Sequence, residues 1–151
     1  MSSHKKINIA VIGATGYTGL DLVLMLSKHP KVNIINLCAT RNLGKKINFF
    51  DNRIKKNLPK ISSLKSVNWK KIDLVFLSMP NGEGQKLIKK LFFNYNNLKF
   101  IDLSADFRIS DKKIYEKNYK IKHKAANLIK KSVYSIPELS NKYISQYRII
   151  S

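Results

Sequence analysis

The chain has one cysteine, four prolines, six glycines and one tryptophan, and only 9 acidic residues against 29 basic ones in 151. Each scarcity excludes something. A single thiol, Cys38, permits no intrachain disulfide and no cysteine-cluster metal centre. Glycine this sparse sets aside a collagen-like chain. Coiled coils and secreted mini-proteins go with it. Long apolar runs are also missing. The longest uncharged stretch, Ile7 to Leu20, is interrupted by Asn8, Thr15, Thr18 and three glycines. It is too short and too glycine-rich to span a bilayer. The head, Met1 to Lys6, leads straight into a strand-like run, without the roughly 7–15-residue apolar region of a signal peptide. The expectation is a cytoplasmic globular chain with no membrane partner. Its hydrophobic fraction, 44%, suits one real core, and 151 residues are too few for two full domains. A single domain over 1–151 follows.

What is abundant is positive charge, +20 formally. A nucleic-acid partner would be the obvious reading, but the pattern argues against one. Lys, Asn and Ile, all read from A/T-rich codons, number 25, 15 and 19. Basic residues are spread as 7, 11 and 11 over successive thirds, and only four are arginine. A dedicated site concentrates arginine with interleaved aromatics. The expectation is a solvated lysine surface with general anion affinity and no specific nucleic-acid partner.

Along the chain, 7–12 reads Ile-Asn-Ile-Ala-Val-Ile, nearly continuous rather than alternating, as a strand buried on both faces should be. A glycine-rich turn, 13–19, opens an apolar helix through Leu26, which ends at His29-Pro30. Val32 to Ala39 reads as a second strand. From Thr40 to Lys71 the chain is polar, and a long loop with short elements is expected. Ile72 to Met79 is another buried strand, broken by Pro80-Asn81-Gly82. Residues 84–93 put Leu87, Ile88, Leu91 and Phe92 on one helical face. Leu98 to Leu103 reads as a strand and Asp111 to about Tyr119 as a helix. Val133 to Ile136 is a short extended piece, and Tyr147 to Ile150 an apolar run. Strands alternating with helices predict an α/β fold, a doubly wound, mainly parallel sheet of the Rossmann type.

Gly13-Ala14-Thr15-Gly16-Tyr17-Thr18-Gly19 spaces its glycines as G-x-x-G-x-x-G, between a strand and a helix. Glycine there permits the tight turn and a close approach of backbone to a pyrophosphate, and the helix N-terminus supplies unpaired N–H groups. The loop is therefore a candidate nucleotide cradle. An NAD site places an acid about 20 residues further on, against the ribose 2′-hydroxyl. This chain reads Cys38-Ala39-Thr40-Arg41-Asn42 there, with no acid between Asp21 and Asp51. Arg41 suits a 2′-phosphate instead, which favours NADP. Cys38, inside the second strand, reads as a small core residue rather than a nucleophile. No metal site is expected.

Four segments together resemble one family, the N-acetyl-gamma-glutamyl-phosphate reductases of arginine biosynthesis. The loop at 13–19 resembles their opening loop. Phe76-Leu77-Ser78-Met79-Pro80-Asn81-Gly82 resembles a strand ending in Leu-Pro-His-Gly, with Asn81 in place of histidine. Ile101-Asp102-Leu103-Ser104-Ala105-Asp106-Phe107-Arg108 matches Asp-Leu-Ser-Ala-Asp-Phe-Arg and is the most specific. Tyr134-Ser135-Ile136-Pro137-Glu138-Leu139 resembles Tyr-Gly-Leu-Pro-Glu-Leu. The family continues into an Asn-Pro-Gly-Cys segment carrying the nucleophile, and this sequence ends at Ser151 where that segment should begin.

The resemblance implies the N-terminal, NADP-binding part of such an enzyme, without the second α+β domain and with no catalytic residue of its own. The chemistry it implies is reduction of an acyl-phosphate substrate. A cysteine thiolate expels phosphate, and the thioester takes hydride from NADPH to give the semialdehyde. The expected cofactor contacts are Gly13, Thr15, Gly16, Tyr17, Thr18, Gly19, Arg41 and Pro80. Arg108, beside Ser104 at the end of a parallel strand, sits where such sheets bind ligands, so these two are the expected substrate contacts. Glu138 is a weaker candidate beside the site. The expectation is an inactive fragment of an enzyme that is homo-oligomeric at full length. Aspartate-semialdehyde dehydrogenases, carrier-linked reductases of lysine or ornithine biosynthesis, and a free-standing nucleotide-binding module are the alternatives.

Overall fold

The computed structural model describes residues 6–139 and 142–151. It comprises two compact units, Met1–Ser78 and Met79–Ser151.

In the first unit, β1 (Ile7–Ile12) is flanked by β2 (Val32–Cys38) and β4 (Leu74–Leu77), with β3 (Ile61–Ser62) outside β2. All three pairings are parallel, and registers such as Ile12↔Cys38 and Ile12↔Leu77 bring the C-terminal ends of the strands level. Ile9 through Ile12 are buried in succession, as the unbroken apolar run requires. Helix α1 (Tyr17–Lys28) buries Gly19, Leu22, Val23 and Ser27, one stripe at three- and four-residue spacing. It stops at His29, whose extended backbone (ψ 126°) is what a following proline demands. The stretch expected to be loop contains three short 3₁₀ turns, Ile47–Phe49, Leu64–Ser66 and Trp69–Lys71, and the two-residue β3. A strand of two residues has no period to read.

In the second unit, β5 (Lys99–Asp102) pairs with β7 (Ile149–Ile150), which pairs in turn with β6 (Ser132–Val133), again parallel throughout. Helix α2 (Glu83–Asn94) turns Ile88, Leu91 and Phe92 inward and its lysines outward. Arg148 closes its far end. The guanidinium donates to the carbonyls of Phe92 (3.1 Å), Tyr95 and Leu98 (3.0 Å) and lies 3.9 Å above the Phe92 ring. Helix α3 (Lys112–Tyr119) is capped by Asp111, whose carboxylate accepts from the amides of Lys113 (2.6 Å) and Ile114 (3.1 Å). A one-turn helix, α4 (Ala126–Ile129), lay below the reach of periodicity. The extended piece expected at 133–136 falls at Ser132–Val133 instead.

Candidate functional site

The glycine loop sits at the C-terminal end of β1. The amides of Gly13 and Ala14 both donate to the carbonyl of Cys38, at 2.9 and 3.0 Å, tying the loop to the end of β2. The three glycines do different work. Gly13 adopts φ +82°, and a Cβ there would lie 1.9 Å from the Ser78 carbonyl oxygen. A Cβ on Gly19 would lie 2.1 Å from the Gly13 carbonyl oxygen. Both positions are closed by the fold itself. At Gly16 φ is −76°, and a Cβ would meet only the Gly13 carbonyl oxygen, at an ordinary 3.5 Å. Nothing within the protein demands glycine at 16.

The helix behind the loop is open. Gly16 stands at the N-cap with no side-chain cap, and the first turn of α1 contains no acid. Its leading N–H groups have no acceptor within the helix, and Gly16, Tyr17 and Thr18 are exposed, Tyr17 to 95%. Thr15 is half-buried. The acids nearest in sequence are occupied: Arg53 bridges Asp21 (3.0 Å) and Asp51 (2.7 Å). Arg41 is exposed just past β2, followed by a turn in which Asn42 (φ 61°) and Gly44 (φ 82°) are left-handed. This donor set suits an anion: an uncapped helix end behind a glycine-rich turn, with Arg41 exposed just past the end of β2. The residues present therefore fit a dinucleotide phosphate.

Cys38 does not belong to this chemistry. It is fully buried, and burial pushes its thiol up from the ordinary range, with a smaller opposing effect from Ser62. A thiol so held is inert.

In the second unit, the N-terminus of α2 is already filled. Its N-cap, Gly82, has φ 87°, and its amide donates to both carboxylate oxygens of Asp106, at 2.8 and 2.9 Å. The Gln85 amide adds a third bond, at 3.3 Å. The Tyr115 hydroxyl donates to Asp106 at 2.6 Å, and burial, then Asp106 itself, pushes that phenol above its ordinary pKa. Pro80 is exposed at the start of this turn, its carbonyl accepting from the Glu83 amide at 3.2 Å.

Ser104 is buried, and its hydroxyl is committed. It donates to Asp102 at 2.8 Å and accepts from the Asp106 amide at 3.1 Å. Asp102, 1% exposed, is pushed up to about 6, first by burial and further by the charge of Asp106. The hydrogen bonds of Ser104 and the charge of Arg108 oppose that rise. Arg108 keeps its guanidinium on the surface, bonded to the Leu103 carbonyl at 2.9 Å, and has no carboxylate partner among the described residues. Glu138 is exposed.

The structure thus brings the glycine loop to the end of β2 in one unit. In the other it joins the Pro80 turn to the Ser104–Arg108 turn through Asn81, whose Oδ1 accepts from the Ala105 amide at 3.0 Å. Sequence reasoning passed over Asn81 and Asp106 as site-forming residues. The available signals were Asp106 inside the segment already singled out and Asn81 next to Gly82, each on its own; that the two turns pair was not among them.

A parallel α/β fold with an uncapped helix behind a glycine loop defines a nucleotide-binding domain of the Rossmann type. Comparison with known proteins is more specific. The semialdehyde dehydrogenase, NAD binding domain family matches residues 8–147, and the chain belongs to that family. Among curated relatives, the N-acetyl-gamma-glutamyl-phosphate reductase of Ehrlichia canis is 42% identical over 89% of this chain and 38% of its own. That of Afipia carboxidovorans is 38% identical over 100% of this chain and 43% of its own. The probable chloroplastic enzyme of Oryza sativa subsp. japonica is 34% identical, over 100% and 36%. The chain therefore spans about two fifths of the length of these relatives. Among solved structures, aspartate semialdehyde dehydrogenase II of Vibrio cholerae shares the fold. Its TM-score is 0.61 at 17% identity, covering 97% of this chain and 37% of that one. Aspartate semialdehyde dehydrogenase of Candida albicans, solved with NADP, matches at TM-score 0.53 and 25% identity, over 72% and 32%. No helix among the described residues is long and apolar enough to cross a membrane.

Proposed function

We propose that this chain is the NADP-binding part of an N-acetyl-gamma-glutamyl-phosphate reductase. That enzyme reduces N-acetyl-glutamyl 5-phosphate to the 5-semialdehyde in the cytoplasm and is a homo-oligomer when complete. The observation that carries the cofactor reading is Gly16, a position with room for a side chain and no backbone strain that is nonetheless glycine. A close-lying pyrophosphate accounts for a glycine here in place of a side-chain cap such as Ser or Asp. The identities of 34–42% to reductases of this type, against 17–25% to the aspartate-semialdehyde enzymes, favour the acetylglutamyl substrate class.

In this reading the loop residues Gly13, Thr15, Gly16, Tyr17, Thr18 and Gly19 hold the pyrophosphate, with amides at the open end of α1. Arg41 pairs with the 2′-phosphate, and Pro80 is a further cofactor contact. NADPH, when bound, supplies the hydride that reduces the acyl group. Arg108, exposed and without a carboxylate partner among the described residues, holds the anionic end of the substrate. Ser104 shapes the substrate turn from within, because its hydroxyl is spent on Asp102 and Asp106, its amide on Asp102 and its carbonyl on Ser151. The attacking thiol is not Cys38, which is buried in β2.

The test is cofactor discrimination. A charge-assisted contact contributes about 1.5–3 kcal/mol, roughly 10- to 150-fold in affinity. NADPH should bind more tightly than NADH by a factor in that range. Arg41→Ala should erase the margin while leaving NADH unchanged. Equal affinities in the wild type refute the role of Arg41.

A further inference from the structure

Two turns of the second unit exchange hydrogen bonds, side chain for backbone. Asn81, in the turn that leads into α2, accepts the amide of Ala105. Asp106, in the turn after β5, accepts the amide of Gly82. Each turn supplies the acceptor that the other's backbone lacks, and each carries residues assigned above to ligands: Pro80 on one, Ser104 and Arg108 on the other.

The Asp106 half is built to be immobile. The residue has no exposed surface. Its amide is held by Ser104, and its carbonyl lies 2.7 Å from His123 Nε2. His123 Nδ1 accepts from the Ala125 amide at 3.2 Å, so Nε2 carries the hydrogen and donates to that carbonyl. Tyr115 holds the carboxylate, and Gln85 closes the ring by donating to the Tyr115 oxygen at 3.2 Å and accepting from the Lys124 amide. The network is fully paired; no buried side-chain nitrogen or oxygen among the described residues lacks a partner. The Asn81 half is different. It is half-buried, and among the described residues its side chain makes one hydrogen bond, to the Ala105 amide.

We propose that Asn81 and Asp106 are positioning residues, a reciprocal clasp that sets the Pro80 turn and the Ser104–Arg108 turn for ligand binding. The proposal rests on the cofactor reading given above. Its chemistry is acceptor geometry. Gly82 is held at φ 87° by the carboxylate on its amide. Ala105 is held by a neutral acceptor of short reach. A histidine ring nitrogen can fill that second role, and an alkyl side chain cannot.

The experiment titrates NADPH and NADH, by dihydronicotinamide fluorescence, against the wild type, Asn81→Leu, Asn81→His and Asp106→Asn. Amide proton spectra and thermal melts accompany each titration. Asn81→Leu should weaken both cofactors alike by roughly three- to tenfold, the worth of one neutral hydrogen bond, and shift the Ala105 amide resonance upfield. Asn81→His should restore affinity to within about twofold and restore the Ala105 resonance, since an acceptor is again present. Asp106→Asn should weaken both cofactors and move the Gly82 amide. If that variant fails to fold, the Asn81 pair decides. Equal loss for NADPH and NADH separates the clasp from Arg41, which moves NADPH alone. Unchanged binding in Asn81→Leu, or a histidine variant as weak as the leucine one, overturns the clasp and leaves the cofactor reading standing. A wild type that binds neither cofactor overturns both.

Discussion

Alanine at each of the three loop glycines should produce two opposite results. At Gly13, alanine must adopt φ +82°, which costs about 1–2 kcal/mol. It must also place its Cβ 1.9 Å from the Ser78 oxygen, so backbone has to move. The Ser78 amide donates to the Ile12 carbonyl at 2.8 Å, so the movement reaches the β1–β4 ladder. A total on the order of 4 kcal/mol, the large-strain end for a single substitution, lowers the melting temperature by roughly 10 °C in a chain of this size. Gly19→Ala meets the Gly13 oxygen at 2.1 Å and should fall in the same class. Gly16→Ala meets nothing closer than 3.5 Å. It loses the N-cap preference of glycine over alanine, up to about 1 kcal/mol, and gains about 0.4–1 kcal/mol by stiffening the unfolded chain. The two nearly cancel, leaving stability within about 0.5 kcal/mol of wild type. Its cofactor affinity should nonetheless fall by about tenfold or more, because the new methyl group occupies the path by which a pyrophosphate reaches the helix end. Circular-dichroism melts and NADPH titrations at matched salt separate the cases. If Gly16→Ala melts with Gly13→Ala, or binds NADPH as the wild type does, the division of labour among the glycines is refuted.

Two further outcomes concern stability. Asp102 is raised from 3.8 to about 6 in the folded chain, so its protonated form is favoured by folding. Its contribution is fully present below about pH 4 and is lost as pH rises through 6, a swing of about 3 kcal/mol. Asp102→Asn removes that titration, so the variant should gain on the wild type between pH 4 and 6 in urea unfolding; a difference independent of pH refutes the assignment. Arg148→Lys should cost about 2–3 kcal/mol, because an ammonium cannot serve the carbonyls of Phe92, Tyr95 and Leu98 together and the contact with the Phe92 ring is lost. Denaturant midpoints measure it, and a lysine variant as stable as wild type contradicts the role.

The long elements were legible because their burial is periodic or continuous. The run Ile9–Ile12 and the stripe of α2 announce themselves, and Asp111 marks the start of α3 as a cap should. The loop at 13–19 was legible as a glycine-rich turn between β1 and α1, but its spacing could not say which glycine the fold needs. That distinction depends on the distances to Ser78 and Gly13, which no local pattern encodes. Ser104 was read as a ligand contact from its place after β5, yet its hydroxyl turns inward to Asp102. The Asn81–Asp106 exchange was invisible because its partners lie 24 residues apart and meet only through tertiary structure. Elements of two to four residues, β3, β6 and α4, carry too few side chains to show a period.

Arg148 gives the chain an order of completion during synthesis. The carbonyls at the end of α2 wait for a guanidinium 53 residues further on, and β5 waits for β7 over a similar distance. At roughly 5–20 residues per second, the ribosome needs about 3–10 s to deliver that segment. The strands of the first unit are all made by Leu77, before α2 begins. A nascent chain therefore passes through an interval in which one ladder has all its strands and β5 still presents an unpaired edge. Substitutions that slow the arrival or docking of Arg148 lengthen that exposure, and their first symptom is lost yield in the cell rather than a lower melting point.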